Sequence, residues 1–522
     1  MSSRPTPRRP PFTQSSSMVE ELASSPIPRL PQELVDHIID HLYDDPLTLT
    51  SCSLVCRQWL PTSRLHLFSK ISLKVTPAVA SPSELCKRLH RLLTTSPSII
   101  SCIRELEVLE GSPLGGQGHG QAQAQSLPQA ALAPGAGAAQ GATPTPTRTP
   151  PPPTSWVLTS RTLPLLLLTL THLRRLELGA QSTTLHWALL PPSLQHALHH
   201  VFSLRSLTFV RLKSWSFTRF ADLAGLLACC RNLQGLALAC VCVLGEPGAG
   251  PFFDPDVPET LALEDHDDDE EEEGVVVPVA DEPRKCRLEF LTIEHVGSGP
   301  LGHWLLSPRS TLDLRGLREL RIAHFDDVPA IERLLERTGD SLEYFHFKTG
   351  ILDVYPFDLS MNPNLRSIKL TLEDPPRALL WVQTLLKSLG PSNVLHHIGL
   401  EFYTDLKQML QLPIDPSFPP SPHPHSSNNS NSVSNSNSKG CGGCQWAELD
   451  ALLLRPELSA LQQVEIGLFT LPTSAEYARV REALGGIRAR GVLRMYRLGL
   501  KNKRSRGQLQ VIMPRISRYE ST

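Results

Sequence analysis

The sequence predicts an α/β chain in which a short N-terminal group of helices precedes a solenoid of strand, loop and helix units. Parallel strands would form one face and helices the other, with disordered insertions between units. Three observations carry this prediction. A pattern of hydrophobe, two variable residues, hydrophobe, one variable residue, hydrophobe returns ten times between residues 103 and 466. Most copies are followed by an apolar segment of helical period. The tracts between copies are too poor in large apolar residues to offset the entropy of ordering them.

Taken in order, residues 1–26 are rich in Ser, Pro and Arg and are expected to be disordered. The stretch LPQELVDHIIDHLYDDPLTLTSCSLVCRQW at 30–59 then places many large apolar residues in a short segment. Leu34, Val35, Ile38, Ile39 and Leu42 recur at three and four, which predicts a helix with one apolar face and with Gln32, Glu33, Asp36, His37 and Asp40 toward water. Pro31 suits a first helical turn, and Glu33 suits the positive end of the helix dipole. Asp44, Asp45 and Pro46 end this helix and start another, whose apolar positions are Leu49, Cys52, Leu54, Val55, Cys56 and Trp59. A unit of two or three short helices is small for standing alone, so its apolar residues either pack the neighbouring repeat or meet a partner.

The repeated pattern reads IRELEV at 103–108, LRRLEL at 173–178, LRSLTF at 204–209, LQGLAL at 233–238 and LEFLTI at 288–293. It continues with LRELRI at 317–322, LEYFHF at 342–347, LRSIKL at 365–370, LHHIGL at 395–400 and LQQVEI at 461–466. Where no insert intervenes, copies start roughly 23 to 31 residues apart, the period of stacked strand-and-helix repeats. Helices are predicted over 328–340, with Ile331, Leu334 and Leu335 inward, and over 375–390, with Leu379, Val382, Leu386 and Leu389 inward. A third over 474–486 starts at Ser474 as its cap and turns Tyr477, Val480 and Leu484 inward. Low-complexity inserts fall at 111–155, 244–285 and 413–443, the second carrying the acidic run EDHDDDEEEE at 264–273. A basic tail, 501–522, opens with KNKRSR.

The repeated motif resembles that of leucine-rich repeats, over about 99–500. That family usually sets Asn or Cys three residues past the last hydrophobe. Here those positions hold Gln181, Leu212, Val241, Val296, Phe325, Gly350, Glu373 and Tyr403, so an irregular horseshoe is expected. The N-terminal stretch resembles an F-box through both halves of its signature, Leu30-Pro31-x-Glu33-Leu34-Val35-x-x-Ile38-Ile39-x-x-Leu42 and Leu54-Val55-Cys56-Arg57-x-Trp59. The resemblance implies a trihelical F-box over 27–72 followed by an irregular leucine-rich-repeat solenoid over 84–500. It also implies docking on the Skp adaptor of a cullin-RING ubiquitin ligase through Leu30, Pro31, Leu34, Ile38, Ile39, Leu42, Val55, Cys56 and Trp59.

In such a receptor a protein substrate would meet the variable strand positions, whose side chains alternate out of the core. These include Arg175, Glu177, Glu319, Arg321, Tyr344, His346, Lys348, Lys369, His397, Glu401 and Glu465. The implied role is a non-catalytic substrate-recognition subunit. The alternatives are a scaffold that uses the same contacts without substrate ubiquitination, or a repeat protein whose first helices are only a cap.

Composition removes other classes. A formal net charge of −2 with a pI near 6.8 offers no basic field for gathering phosphates, so no nucleic-acid partner is expected. Eleven cysteines without framework spacing, and no signal-peptide core at the N-terminus, predict a reducing cytoplasmic or nuclear compartment. LPLLLLTLTHL at 163–173 is far short of the about 20 residues that span a bilayer, so no membrane partner is expected. His423, His425, Cys441 and Cys444 have zinc-ligand chemistry, but they lie in a Ser/Asn tract with no apolar shell, and no metal is assigned. No phosphate-binding glycine loop or nucleophile elbow occurs, so neither cofactor nor catalytic residue is predicted. The basic run at 501–506 reads as a nuclear address, a phosphate contact or a solvated end. Thr143, Thr145, Thr149 and Ser25 precede prolines and are candidate phosphorylation sites on their expected exposure alone.

Overall fold

The computed structural model describes residues 30–74, 81–111, 155–181, 183–245, 285–296, 298–325, 327–349, 357–373, 375–403, 442–468 and 474–498. Most of the three inserts, the acidic run, His423, His425, Cys441, the Thr-Pro and Ser-Pro sites and the 501–522 tail lie outside the described residues. The chain divides into two compact units, Met1–Ser69 and Lys70–Thr522.

The first unit contains three helices, α1 (Gln32–Asp40), α2 (Pro46–Val55) and α3 (Leu60–Ser69). Its core is Val35, Ile39 and Leu49, with Leu42, Trp59 and Leu67 packed around them. Asp45 starts α2 by accepting the Leu47 and Thr48 amides, both at 3.1 Å, and the Thr48 hydroxyl at 2.6 Å. Those Thr48 bonds hold the Asp45 carboxyl below the usual carboxylate range.

The second unit is α/β, built on a large parallel sheet. Its strands are β1 (Lys70–Lys74), β2 (Glu105–Glu110), β3 (Arg175–Ala180), β4 (Leu185–His186), β5 (Phe209–Phe217), β6 (Gly235–Val243), β7 (Cys286–Arg287), β8 (Phe290–Glu294), β9 (Leu312–Asp313), β10 (Glu319–Ala323), β11 (Tyr344–Thr349), β12 (Ser367–Leu372), β13 (His397–Phe402), β14 (Gln463–Leu468) and β15 (Leu493–Arg497). The sheet runs β1-β2-β3-β5-β6-β8-β10-β11-β12-β13-β14-β15, with β4 beside β5 and the small pair β7-β9 separate. Neighbours in space are thus neighbours in sequence, the topology of a solenoid. The sheet begins at Lys70, inside the 27–72 span assigned above to the helical unit.

Two inward columns explain the order. Leu320 pairs with Leu291 on one side and Phe345 on the other, and Ile322 with Ile293 and Phe347; each of these six side chains is at most 4% exposed. The pattern continues across Leu176, Val210, Leu236, Ile368, Ile398 and Val464, none above 0%. A strand with one such face cannot stand alone, and each full burial contributes about 1.5–3 kcal/mol. The facing helices are α4 (Pro82–Thr95), α5 (Trp156–Thr159), α6 (Thr162–Thr169), α7 (Pro192–Phe202), α8 (Phe220–Ala228), α9 (Ser298–Leu306), α10 (Val328–Thr338), α11 (Pro375–Lys387), α12 (Gly442–Leu453), α13 (Ser474–Ala483) and α14 (Gly485–Ala489). In α10, Ile331, Leu334 and Leu335 are buried as expected, and the helix stops at Gly339 with φ 48°. In α11, Leu379, Val382 and Leu386 are buried, with Leu389 just past its end. Val480 and Leu484 are buried while Tyr477 is half-buried, and Ser474 lies within α13 rather than ahead of it.

The LRSLTF frame at 204–209 is corrected by three residues. Val210 and Leu212 pair with Leu176 and Leu178, so the strand copy is Leu207–Leu212 and Leu212 is core, not loop. The turn position of this repeat is Trp215, whose buried Nε1–H donates to the Leu178 carbonyl at 3.1 Å. Val241, Val296 and Phe325 occupy equivalent positions and are at most 5% exposed. Apolar bulk therefore fills this edge. Just before it Ser214, Cys240, His295 and His324 all take φ between 49° and 56°, turning four successive sheet strands the same way. The His295 and His324 rings stack with centroids 4.0 Å apart. Leu163, Leu166 and Leu167 of α6 are buried in the core, and among the described residues no helix is long and apolar enough to cross a membrane.

Candidate protein-interaction surfaces

In the helical unit the apolar stripe of α1 divides. Val35 and Ile39 fill the core, while Leu34 is 51% and Ile38 is 42% exposed. The division follows from geometry, because each residue advances about 100° and a neighbouring helix covers only part of the arc. The opposite face of α1 is not simply solvated. Asp36 accepts from Gln32 Nε2 at 2.7 Å and from the Thr62 hydroxyl, and Asp40 meets His66 Nε2 at 2.7 Å. These bonds tie α1 to α3, which corrects the expectation that Asp36 and Asp40 face water alone.

The two halves of the N-terminal motif meet. Gln58 Nε2 donates to the Leu30 carbonyl at 3.2 Å, and the Gln58 carbonyl accepts from Gln32 Nε2 at 3.3 Å. Of the residues that the resemblance assigns to an adaptor, Leu30, Pro31, Leu34, Ile38, Val55 and Cys56 are exposed. Ile39, at 0% exposure, is sealed in the core and has no surface to offer; Leu42 and Trp59 are half-buried against the same core. Leu47 and Leu54, each 82% exposed, add to the uncovered apolar surface. Leu47 escaped notice because it lies outside both motif halves, whereas Leu54 opens the second half but was not named as a contact.

On the repeat sheet the candidate contact residues all occupy the outward columns, in register, but Glu401 is buried there beneath its neighbours, which corrects its expected place on the surface. Arg175, Glu319, Tyr344 and His397 share one column; Glu177, Arg321, His346, Lys369 and Glu465 share the next; Lys348 and Glu401 share a third. The sheet pairs most of their charges internally. Arg175 binds Glu177 at 2.6 Å and lies 3.9 Å over the Phe209 ring. Arg321 binds Glu319 and lies 5.5 Å from the Phe290 centroid. Lys348 reaches Glu373 at 3.4 Å, and Lys369 reaches Glu401 at 2.8 Å. Tyr344, 40% exposed, is the aromatic most available at the surface of this group.

A polar network spans β11 to β15. The Thr371 hydroxyl donates to Glu401 Oε2 at 3.1 Å, and Tyr496 donates to Glu401 Oε1 at 3.0 Å. Burial, then the Glu401 carboxylate, pushes the Tyr496 phenol well above its usual range. Ser367 Oγ lies 2.8 Å from His397 Nδ1, and His397 Nε2 lies 3.8 Å from Glu465. Burial lowers the His397 pKa, and Glu465 opposes that shift. For His346, burial followed by Lys369, Arg321 and Lys348 pushes the imidazole down to about 3, so it stays neutral. Tyr496 went unnoticed in the sequence because β15 carries no complete copy of the motif.

Among the described residues no group of three or more His, Cys, Asp and Glu could hold a metal ion. No family model and no curated protein matches the chain.

Proposed function

We propose that this chain is a non-catalytic substrate-recognition subunit of a Skp-cullin-F-box ubiquitin ligase. Its first helices act as an F-box that binds the Skp adaptor and, through it, cullin; the repeat sheet, a degenerate leucine-rich-repeat array, holds a protein substrate. The observation that carries the reading is the exposure of Leu34 and Ile38 on a helix whose own core is already filled by Val35 and Ile39. Large apolar side chains left outside a satisfied core mark a surface meant for a partner. Gln58 supports it further by clamping the two halves of the motif together. On the sheet, internally paired charges favour a partner recognised by shape and by groups such as Tyr344 over one drawn in by net charge.

The test is the affinity of the purified chain for the Skp adaptor, for wild type and for Leu34→Ala/Ile38→Ala, with circular dichroism to show that the variant is folded. Tight binding that the folded variant loses supports the reading. A wild-type chain that does not bind the adaptor overturns it. Cullin-dependent turnover of a protein bound to the sheet then separates the receptor from a scaffold that uses the same contacts.

A further inference from the structure

We propose that His37 and His41 form an exposed two-histidine site for a divalent transition-metal ion of the zinc class. The two residues lie four apart at the end of α1. His41 is still in helical conformation (φ −71°, ψ −15°), so both side chains leave the same face. Their Nε2 atoms are 3.3 Å apart, and the rings meet edge to face with centroids 4.7 Å apart.

That separation is the bite of a tetrahedral ion. With metal–nitrogen bonds of about 2.05 Å, two imidazole donors at the tetrahedral angle stand about 3.3 Å apart. The helix therefore already holds the donors at the chelating distance. In the metal-free chain the two rings meet through the same nitrogens, and a metal ion would take the place of the hydrogen between them. Imidazole donors select zinc, copper or nickel over magnesium and calcium.

Two neighbouring carboxylates are already engaged. Asp36 is engaged by Gln32 and Thr62, and Asp40 by His66. With two protein donors, the remaining positions on the ion are open to water or to a donor from another molecule. Helical steps of about 100° set His37 and His41 beside Leu34 and Ile38, so these open positions lie on the exposed apolar side of α1. The site stands on this geometry alone and does not depend on the ligase reading.

The test uses the full chain and diethyl pyrocarbonate, which acylates accessible imidazole nitrogen, with each histidine read by peptide mass spectrometry and Zn²⁺ added. Labelling of His37 and His41 is expected to fall together, by about tenfold at a zinc concentration about ten times the dissociation constant. Mg²⁺ is expected to leave both unchanged. In His41→Ala, zinc should no longer protect His37, and in His37→Ala it should no longer protect His41. Unchanged labelling of the wild-type pair in zinc, or protection of His37 that survives in His41→Ala, would overturn the proposal.

Discussion

Replacing Asn362 by alanine is expected to loosen the junction between two repeats. Asn362, 0% exposed, sits in the loop before β12 and reaches back to the end of α10. Its Nδ2 donates to the carbonyls of Leu335 and Gly339, both at 3.0 Å. Helix ends leave carbonyls without intrahelical partners, so this amide performs a capping task across the repeat boundary. The two acceptors differ. Leu335 O also accepts the Thr338 hydroxyl at 2.8 Å and the Gly339 amide, whereas Gly339 O is left with the Leu342 amide at 3.5 Å. The loss is therefore about 1 kcal/mol at Leu335 and about 1–2 kcal/mol at Gly339, or about 2–3 kcal/mol together.

A repeat array opens in parts, so the suitable assay is native-state hydrogen exchange of the last turn of α10. A loss of that size speeds exchange by about 30- to 150-fold. Asn364 provides the control. Two residues on, it makes a similar bond to the Asp340 carbonyl at 2.8 Å but is exposed, so water replaces it in Asn364→Ala. Asn364→Ala is expected to cost less than about 0.5 kcal/mol. Equal effects at the two sites, or an Asn362→Ala cost below about 0.5 kcal/mol, would refute the reasoning.

Two further predictions concern the surfaces. Ile39→Ala empties a site in the three-residue core of the helical unit and is expected to cost about 2–5 kcal/mol, melting helices by circular dichroism, while Ile38→Ala leaves the spectrum unchanged. Equal spectra for the two variants would mean that the division of the α1 stripe is wrong. His346 has its pKa depressed from 6.5 to about 3, so between those values the unfolded chain binds the extra proton and stability falls as pH falls. His346→Gln should flatten this dependence by up to about 1.4 kcal/mol per pH unit, read from exchange of the β11 amides at several pH values. Identical pH profiles in variant and wild type would show that His346 titrates freely in the folded chain.

Much of the fold was legible because strand periodicity is local. In LRELRI the side chains of Leu320 and Ile322 must share a face whatever surrounds them, and the parallel partners at 290–294 and 344–349 follow from repeating that face. The frame failed where two readings overlap. In LRSLTFVRL, leucines at 204 and 207 both begin an acceptable motif, and only pairing with β3 selects the second. The edge strands were missed for a related reason: β1 and β15 cover the ends of the sheet, and Ile71, Leu493 and Met495 are half-buried rather than sealed.

The candidate contact surfaces were legible as residue types and not as exposures. Sequence alone determined that 30–59 carries more apolar side chains than a small helical unit can bury, and that the outward columns of the sheet mix charged and aromatic groups. Tertiary structure decided that Ile39 belongs to the core while Ile38 does not. It also decided that Arg175, Arg321 and Lys369 are occupied by Glu177, Glu319 and Glu401, and that His37 and His41 stand at a chelating distance. The physical reason is that periodicity assigns a residue to a face, whereas burial and pairing depend on which other elements cover that face, and such contacts come from residues distant in the chain.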